Sequence, residues 1–199
     1  MLPRNTDLMQ ASYDSLRGKW LVPIFASLFV GLVNYSANQI PRIGWVISVV
    51  LGAPLALGMA RFALNISREE NFGFEDLFGG FKRFADSLTA YLLVLLFVFV
   101  GLILLIIPGI YFALSYSLVF YILSDEPDIK PMNALAKSKE MMEGYKTQML
   151  VLWLQFLGLA ILCLLTLGIG FLWLGPFIRV TMARFYDELK EEKFPNYAI

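Results

Sequence analysis

The stretch Leu88–Leu123, LTAYLLVLLFVFVGLILLIIPGIYFALSYSLVFYIL, decides how the chain is read, because it carries no charged residue. As one α-helix at about 1.5 Å per residue it would be roughly 54 Å long, against a bilayer hydrocarbon core of about 30 Å. That is too long for one ordinary crossing. Pro108-Gly109 divides it, and both residue types interrupt helices. A single crossing would also place the Lys-bearing segments before and after it on opposite faces of a membrane. Two antiparallel crossings keep them together, so the stretch reads as a hairpin turning at Pro108-Gly109.

The same logic divides Gln148–Tyr186 at Thr166-Leu167-Gly168-Ile169-Gly170. Six apolar spans result, at about 20–35, 43–64, 88–107, 109–123, 148–166 and 168–186. Between the first two lies Tyr35–Arg42, whose only charge is Arg42; the short turns within the other two pairs carry none. The remaining segments hold all the acids and most of the bases. Loops rich in Lys and Arg resist translocation, which places both termini in the cytoplasm. The predicted fold is therefore all-α: a polytopic membrane bundle of six helices in three antiparallel hairpins, forming one domain over residues 1–199. Pro54 and Pro176 fall inside the second and sixth spans and are read as further helix breaks, alongside Pro108, Gly109, Gly168 and Gly170.

Composition agrees. Hydrophobic residues make up 58% and charged residues 16%, with a mean hydropathy of +0.67, whereas soluble domains are about half apolar and a quarter charged. The net charge of zero and the lack of a basic stripe leave no nucleic-acid footprint. The chain has no histidine, and Cys163 is its sole cysteine. That removes Ser-His and Cys-His nucleophilic pairs, His-ligated metals and an internal disulfide. Asp125, Glu126 and Asp128 are oxygen donors of the type that hold calcium or magnesium, but they lack a full ligand loop, and Pro127 accounts for the segment as a turn. No metal, cofactor or enzymatic activity is expected. Arg17 and Lys19 precede an apolar run, as in a signal peptide, yet no A-x-A cleavage pattern follows; the run is read as a retained helix.

Three charged segments have amphipathic character. Met9, Tyr13, Leu16 and Trp20 recur at helical spacing before the first span; Phe74, Leu77, Phe78, Phe81 and Phe84 do so after the second. Pro131 opens a third, with Leu135, Ser138, Met142, Tyr145 and Met149 on one face. These fit cytoplasmic helices in the headgroup layer or against the bundle mouth. A weak repeat supports the hairpins: Gly52-Ala53-Pro54 precedes Met59-Ala60-Arg61-Phe62, and Leu174-Gly175-Pro176 precedes Met182-Ala183-Arg184-Phe185. The even-numbered spans also run out into acidic stretches, at Arg68-Glu69-Glu70, Asp125-Glu126-Pro127-Asp128 and Asp187-Glu188.

Three arginines are the candidate ligand or lipid-headgroup residues. Arg179 lies midway along the last span, where a guanidinium is costly and faces a bundle interior or watery cavity. Its alternative role is to cap carbonyls freed by Pro176. Arg61 and Arg184 lie nearer the cytoplasmic ends, where snorkelling to headgroups is the simpler reading.

Several short motifs in order carry a family likeness. They are Ser15-Leu16-Arg17-Gly18-Lys19-Trp20, Phe74-Glu75-Asp76-Leu77-Phe78-Gly79-Gly80-Phe81, Ile107-Pro108-Gly109-Ile110, Tyr116-Ser117 and Ser124-Asp125-Glu126-Pro127. After them come Ala134–Gly144, Thr166–Gly170, Pro176 and Phe185-Tyr186. The chain resembles the bacterial multi-pass membrane family labelled domain of unknown function 975. The resemblance implies a bacterial cytoplasmic-membrane protein and carries over no reaction. The expected function is non-enzymatic binding of membrane lipids, a membrane-active peptide, another membrane protein or a second copy of the chain. The competing expectation is a small transporter or channel with its site near the proline-bearing spans and Arg179.

Overall fold

The computed structural model describes residues 2–195 and shows ten α-helices and no β-strand among them. They are α1 (Asn5–Leu16), α2 (Leu21–Asn38), α3 (Gly44–Ser67), α4 (Asp76–Gly79), α5 (Phe84–Leu104), α6 (Ile106–Ser115), α7 (Val119–Asp125), α8 (Pro131–Met141), α9 (Lys146–Leu165) and α10 (Phe171–Lys193). A 3-10 turn, Gly80–Arg83, joins α4 to α5.

Among the described residues, five helical stretches are long and apolar enough to cross a membrane: Leu21–Asn38, Gly44–Ser67, Asp76–Leu104, Ile106–Asp125 and Lys146–Leu165. The sixth predicted span, within α10, is not among them. Beyond its apolar start α10 carries Arg179, Arg184, Asp187, Glu188 and Lys190, which dilute its hydropathy.

The helix α3 is the axis of the packing. Its Leu55, Leu57, Met59, Phe62, Leu64 and Ile66 are buried, and α2, α5, α7 and α10 pack against it. The segment α4 and its 3-10 turn press backbone to backbone onto α3. A Cβ on Gly58 would stand 2.0 Å from the Leu77 carbonyl oxygen, and one on Gly80 would stand 1.9 Å from that of Pro54. Only glycine permits this approach. Leu77 therefore points inward and is fully buried, while Phe74, Phe78, Phe81 and Phe84 stay exposed; Phe74 and Phe78 meet Phe29 of α2 edge-on, and Phe81 stands against Phe78. The predicted aromatic stripe is thus an outer flank, and its inward side is Leu77 and Gly80. In α1 the buried side is Leu8, Ser12, Ser15 and Leu16, whereas Tyr13 is exposed. The helix expected from Pro131 is α8, which opens with that proline and buries Leu135, Ser138 and Met141.

The helix breaks need correction. Pro54 and Pro176 interrupt nothing: each lies buried inside a continuous helix, α3 and α10. Within a packed bundle, neighbouring elements accommodate the backbone groups that a proline frees. The turn between α5 and α6 falls at Leu105 (φ −170°, ψ 158°), not at Pro108-Gly109. Pro108 occupies the first turn of α6, where backbone N–H groups have no intrahelical partner to lose. Gly109 serves close packing instead, since a Cβ on Gly101 would lie 2.9 Å from the Gly109 Cα. From there α5 and α6 run antiparallel, with Phe97 against Phe112 and Tyr116. The predicted span 109–123 is two helices, α6 and α7, separated at residues 116–118. Gly168 takes the left-handed conformation (φ +85°) in the turn before α10, and the Gly170 N–H donates to Thr166 Oγ1 at 3.1 Å.

Many large apolar side chains face outward. Leu95, Phe99 and Ile103 of α5 and Leu154, Leu157 and Ile161 of α9 are all exposed. The helix ends and the turn after α9 are more so, with Ile107 and Leu165 each 79% and Leu167 94% accessible. Contiguous apolar surface is rare on soluble monomers.

Candidate functional site

Three features concentrate the polar and cavity-forming residues. The first is an ion cluster that gathers the three acidic exits noted in the sequence. Arg68, at the C-terminus of α3, donates from Nη1 to Asp125 Oδ1 (2.7 Å) and from Nη2 to Asp187 Oδ1 (2.6 Å). Asp125 also accepts from Lys190 and, at 2.9 Å, from the Tyr186 hydroxyl; Ser67 Oγ donates to Asp187 at 2.9 Å. A guanidinium at a helix C-terminus complements the helix dipole, so Arg68 suits the end of α3 before any ion pair is counted. Burial pushes the Asp187 carboxyl above its ordinary range, against the hydrogen bond and charge of Arg68. The cluster ties α3, α7 and α10 together and leaves its charges matched in number.

A second clamp lies beside it. Arg83 donates to the carbonyls of Leu123 (2.7 Å), Glu126 (3.2 Å) and Ile129 (2.8 Å), and its Nε donates to Asp86 at 3.1 Å. It thereby satisfies a carbonyl at the end of α7 that the helix leaves open. Lys193 does the same for α8, donating to the Glu140 and Glu143 carbonyls at 2.8 Å each. Lys137 pairs with Glu126.

The third feature is an apolar groove of about 560 Å³ along the flank of α1, α9 and α10. Met9, Tyr13, Trp20, Leu162, Trp173 and Phe177 are among its walls; Gln10, Cys163 and Thr166 also border it. The Thr166 hydroxyl is already used, donating to the Cys163 carbonyl. What remains is a surface of hydrocarbon and aromatic rings, within the size range of small-molecule sites.

The three arginines singled out from the sequence lie against different elements. Arg61 stands beside α4, its Nε 3.9 Å from Asp76 Oδ1. Arg184 donates to Ser15 Oγ of α1, while its own Nε is buried without a partner. The Arg179 carbonyl accepts from the Tyr121 hydroxyl at 3.2 Å, and its guanidinium has no ion pair among the described residues. Pro54 and Pro176 line neither the groove nor the ion cluster. Arg68, Arg83, Asp125, Tyr186 and Lys190 were not foreseen as a group. The signal that pointed toward them was the charge at each even-numbered exit.

The likeness drawn from the motifs holds. The profile of the family described as "Protein of unknown function (DUF975)" matches residues 94–193, half of the chain. This protein belongs to that family. Neither a curated protein nor a solved structure matches the chain.

Proposed function

We propose that this is a multi-pass protein of the bacterial cytoplasmic membrane, with six spans in three hairpins and both termini in the cytoplasm. In this reading it binds a lipid acyl chain and catalyses no reaction. The groove of α1, α9 and α10 carries the reading: its walls are apolar and its residues belong to the exposed flank. A membrane surrounds such a flank with acyl chains, and a preformed apolar concavity holds one chain better than a flat helix face does. The apolar belt and turns support the membrane assignment, and the charge asymmetry of the loops supports the orientation.

Purification in mild detergent followed by mass spectrometry of retained lipid tests this. The expected result is a phospholipid kept at near-stoichiometric level by the native protein and lost from the groove-filling variants Leu162→Trp and Leu159→Trp. Equal lipid content in all three proteins would overturn it.

Arg179 favours a second reading, a small transporter, because a guanidinium without an ion pair midway along α10 is expensive to keep. Proteoliposome flux abolished by Arg179→Ala supports that reading, and absence of flux from the native protein removes it.

A further inference from the structure

We propose that a separate small cleft between α3, the α4–3-10 segment and α7 binds a phosphate oxyanion. This site is distinct from the apolar groove and does not depend on it. The cleft is about 60 Å³, the volume of roughly two waters, which suits one tetrahedral phosphate group. Arg61, Gly79, Gly80, Arg83 and Ser124 supply its polar side, and Leu57, Leu123 and Pro127 its apolar walls.

Each polar member has capacity to spare or a reason to be there. The Arg61 side chain is 59% exposed, and its guanidinium stands 3.9 Å from the nearest carboxylate oxygen, beyond hydrogen-bond distance. Its planar fork of donors therefore remains open, the geometry that takes phosphate bidentately. That carboxylate, Asp76, is anchored elsewhere through its other oxygen, which accepts from Asn65 Nδ2 at 3.1 Å and from the Gly73 N–H at 3.0 Å. Ser124 Oγ is buried with no hydrogen-bond partner among the described residues, an unfavourable state that an incoming acceptor oxygen relieves. Arg83 spends its donors on Asp86 and three carbonyls, so it contributes positive charge to the wall but no free donor. Gly79 lies alongside the Arg61 side chain, a Cβ there standing at ordinary contact distance, 4.0 Å from Arg61 Nη1.

The phosphate has two possible sources, a phospholipid headgroup or free inorganic phosphate. Full-length protein in detergent, titrated separately with inorganic phosphate and with a short-chain phosphatidic acid at constant ionic strength, distinguishes them. Isothermal calorimetry is the readout. Saturable binding of phosphate alone or of both probes assigns free phosphate; binding of the lipid alone assigns the headgroup. In either case Arg61→Gln weakens binding at least tenfold and Ser124→Ala at least threefold, while Arg42→Gln, at the far turn, leaves it unchanged. Removing the single Ser124 oxygen preserves the fold, which circular dichroism verifies for each variant. No saturable binding of either probe, or native affinity in both Arg61→Gln and Ser124→Ala, would overturn the site. Loss of groove lipid with this binding retained would implicate only the apolar reading.

Discussion

Arg68 reaches Asp187, 119 positions later in the chain, with Nη2 2.6 Å from Oδ1. The same guanidinium holds Asp125, so one side chain joins the ends of α3 and α7 to the middle of the charged half of α10. Removing one partner of a buried pair strands the others, which costs roughly 3–5 kcal/mol when burial is complete. Arg68 is 31% exposed, and Arg68→Ala is therefore expected to cost about 2–3 kcal/mol. Chemical unfolding in detergent, compared with the exposed control Arg42→Ala, measures it.

That deficit should depend on pH. The Asp187 carboxyl is already raised by burial, and Arg68 is what pulls it down. Without Arg68 its folded-state pKa rises further above the unfolded value. A raised folded-state pKa means stability is present below the unfolded pKa and is lost as pH rises through the folded one. The Arg68→Ala deficit is thus larger at pH 7 than at pH 5. A deficit that does not shrink on acidification would refute this account of the cluster.

The glycine contacts of α3 give a sharper test of packing. Gly58→Ala drives a methyl to 2.0 Å from the Leu77 oxygen, and Gly80→Ala drives one to 1.9 Å from the Pro54 oxygen. Neither neighbour is a movable side chain. Each substitution is expected to reach or exceed the upper range for overpacking, about 3 kcal/mol. By contrast Gly31 and Gly158, in α2 and α9, have open space where a Cβ would go; alanine there gains about 0.5–1 kcal/mol of helix stability. Thermal unfolding of the four variants should separate them into two groups of opposite sign.

The orientation proposed above is testable by labelling on a Cys163→Ser background. Asn38, the last residue of α2, is exposed, as are Lys82 and Lys139 at the charged segments, and each is replaced by cysteine in turn. A membrane-impermeant maleimide added to intact spheroplasts should modify the first and spare the other two. Modification of Lys82→Cys from outside would reverse the topology.

Much of the helical plan was legible along the chain, because a charge-free run longer than a bilayer is thick must turn or break. Where it turns was less legible. Pro108 marks a turn by its residue type, yet the first turn of a helix accepts proline without losing a hydrogen bond, and the reversal falls at Leu105. Pro54 and Pro176 are helix breakers by residue type, but packing around α3 and α10 carries both helices through. The family followed from ordered short motifs and matches residues 94–193.

Sequence alone determined that this chain is helical, predominantly apolar, and segregated in its charges, since these depend on composition and spacing within single elements. Only the tertiary structure decided which charges meet. Arg68, Asp125 and Asp187 are far apart in the chain, and nothing local distinguishes them from Glu69, Asp128 or Glu188. The open guanidinium of Arg61 and the unpartnered hydroxyl of Ser124 likewise share a cleft because Gly58 and Gly80 let two backbones touch. That close approach is a property of helices already packed, and it leaves no periodic trace in the sequence.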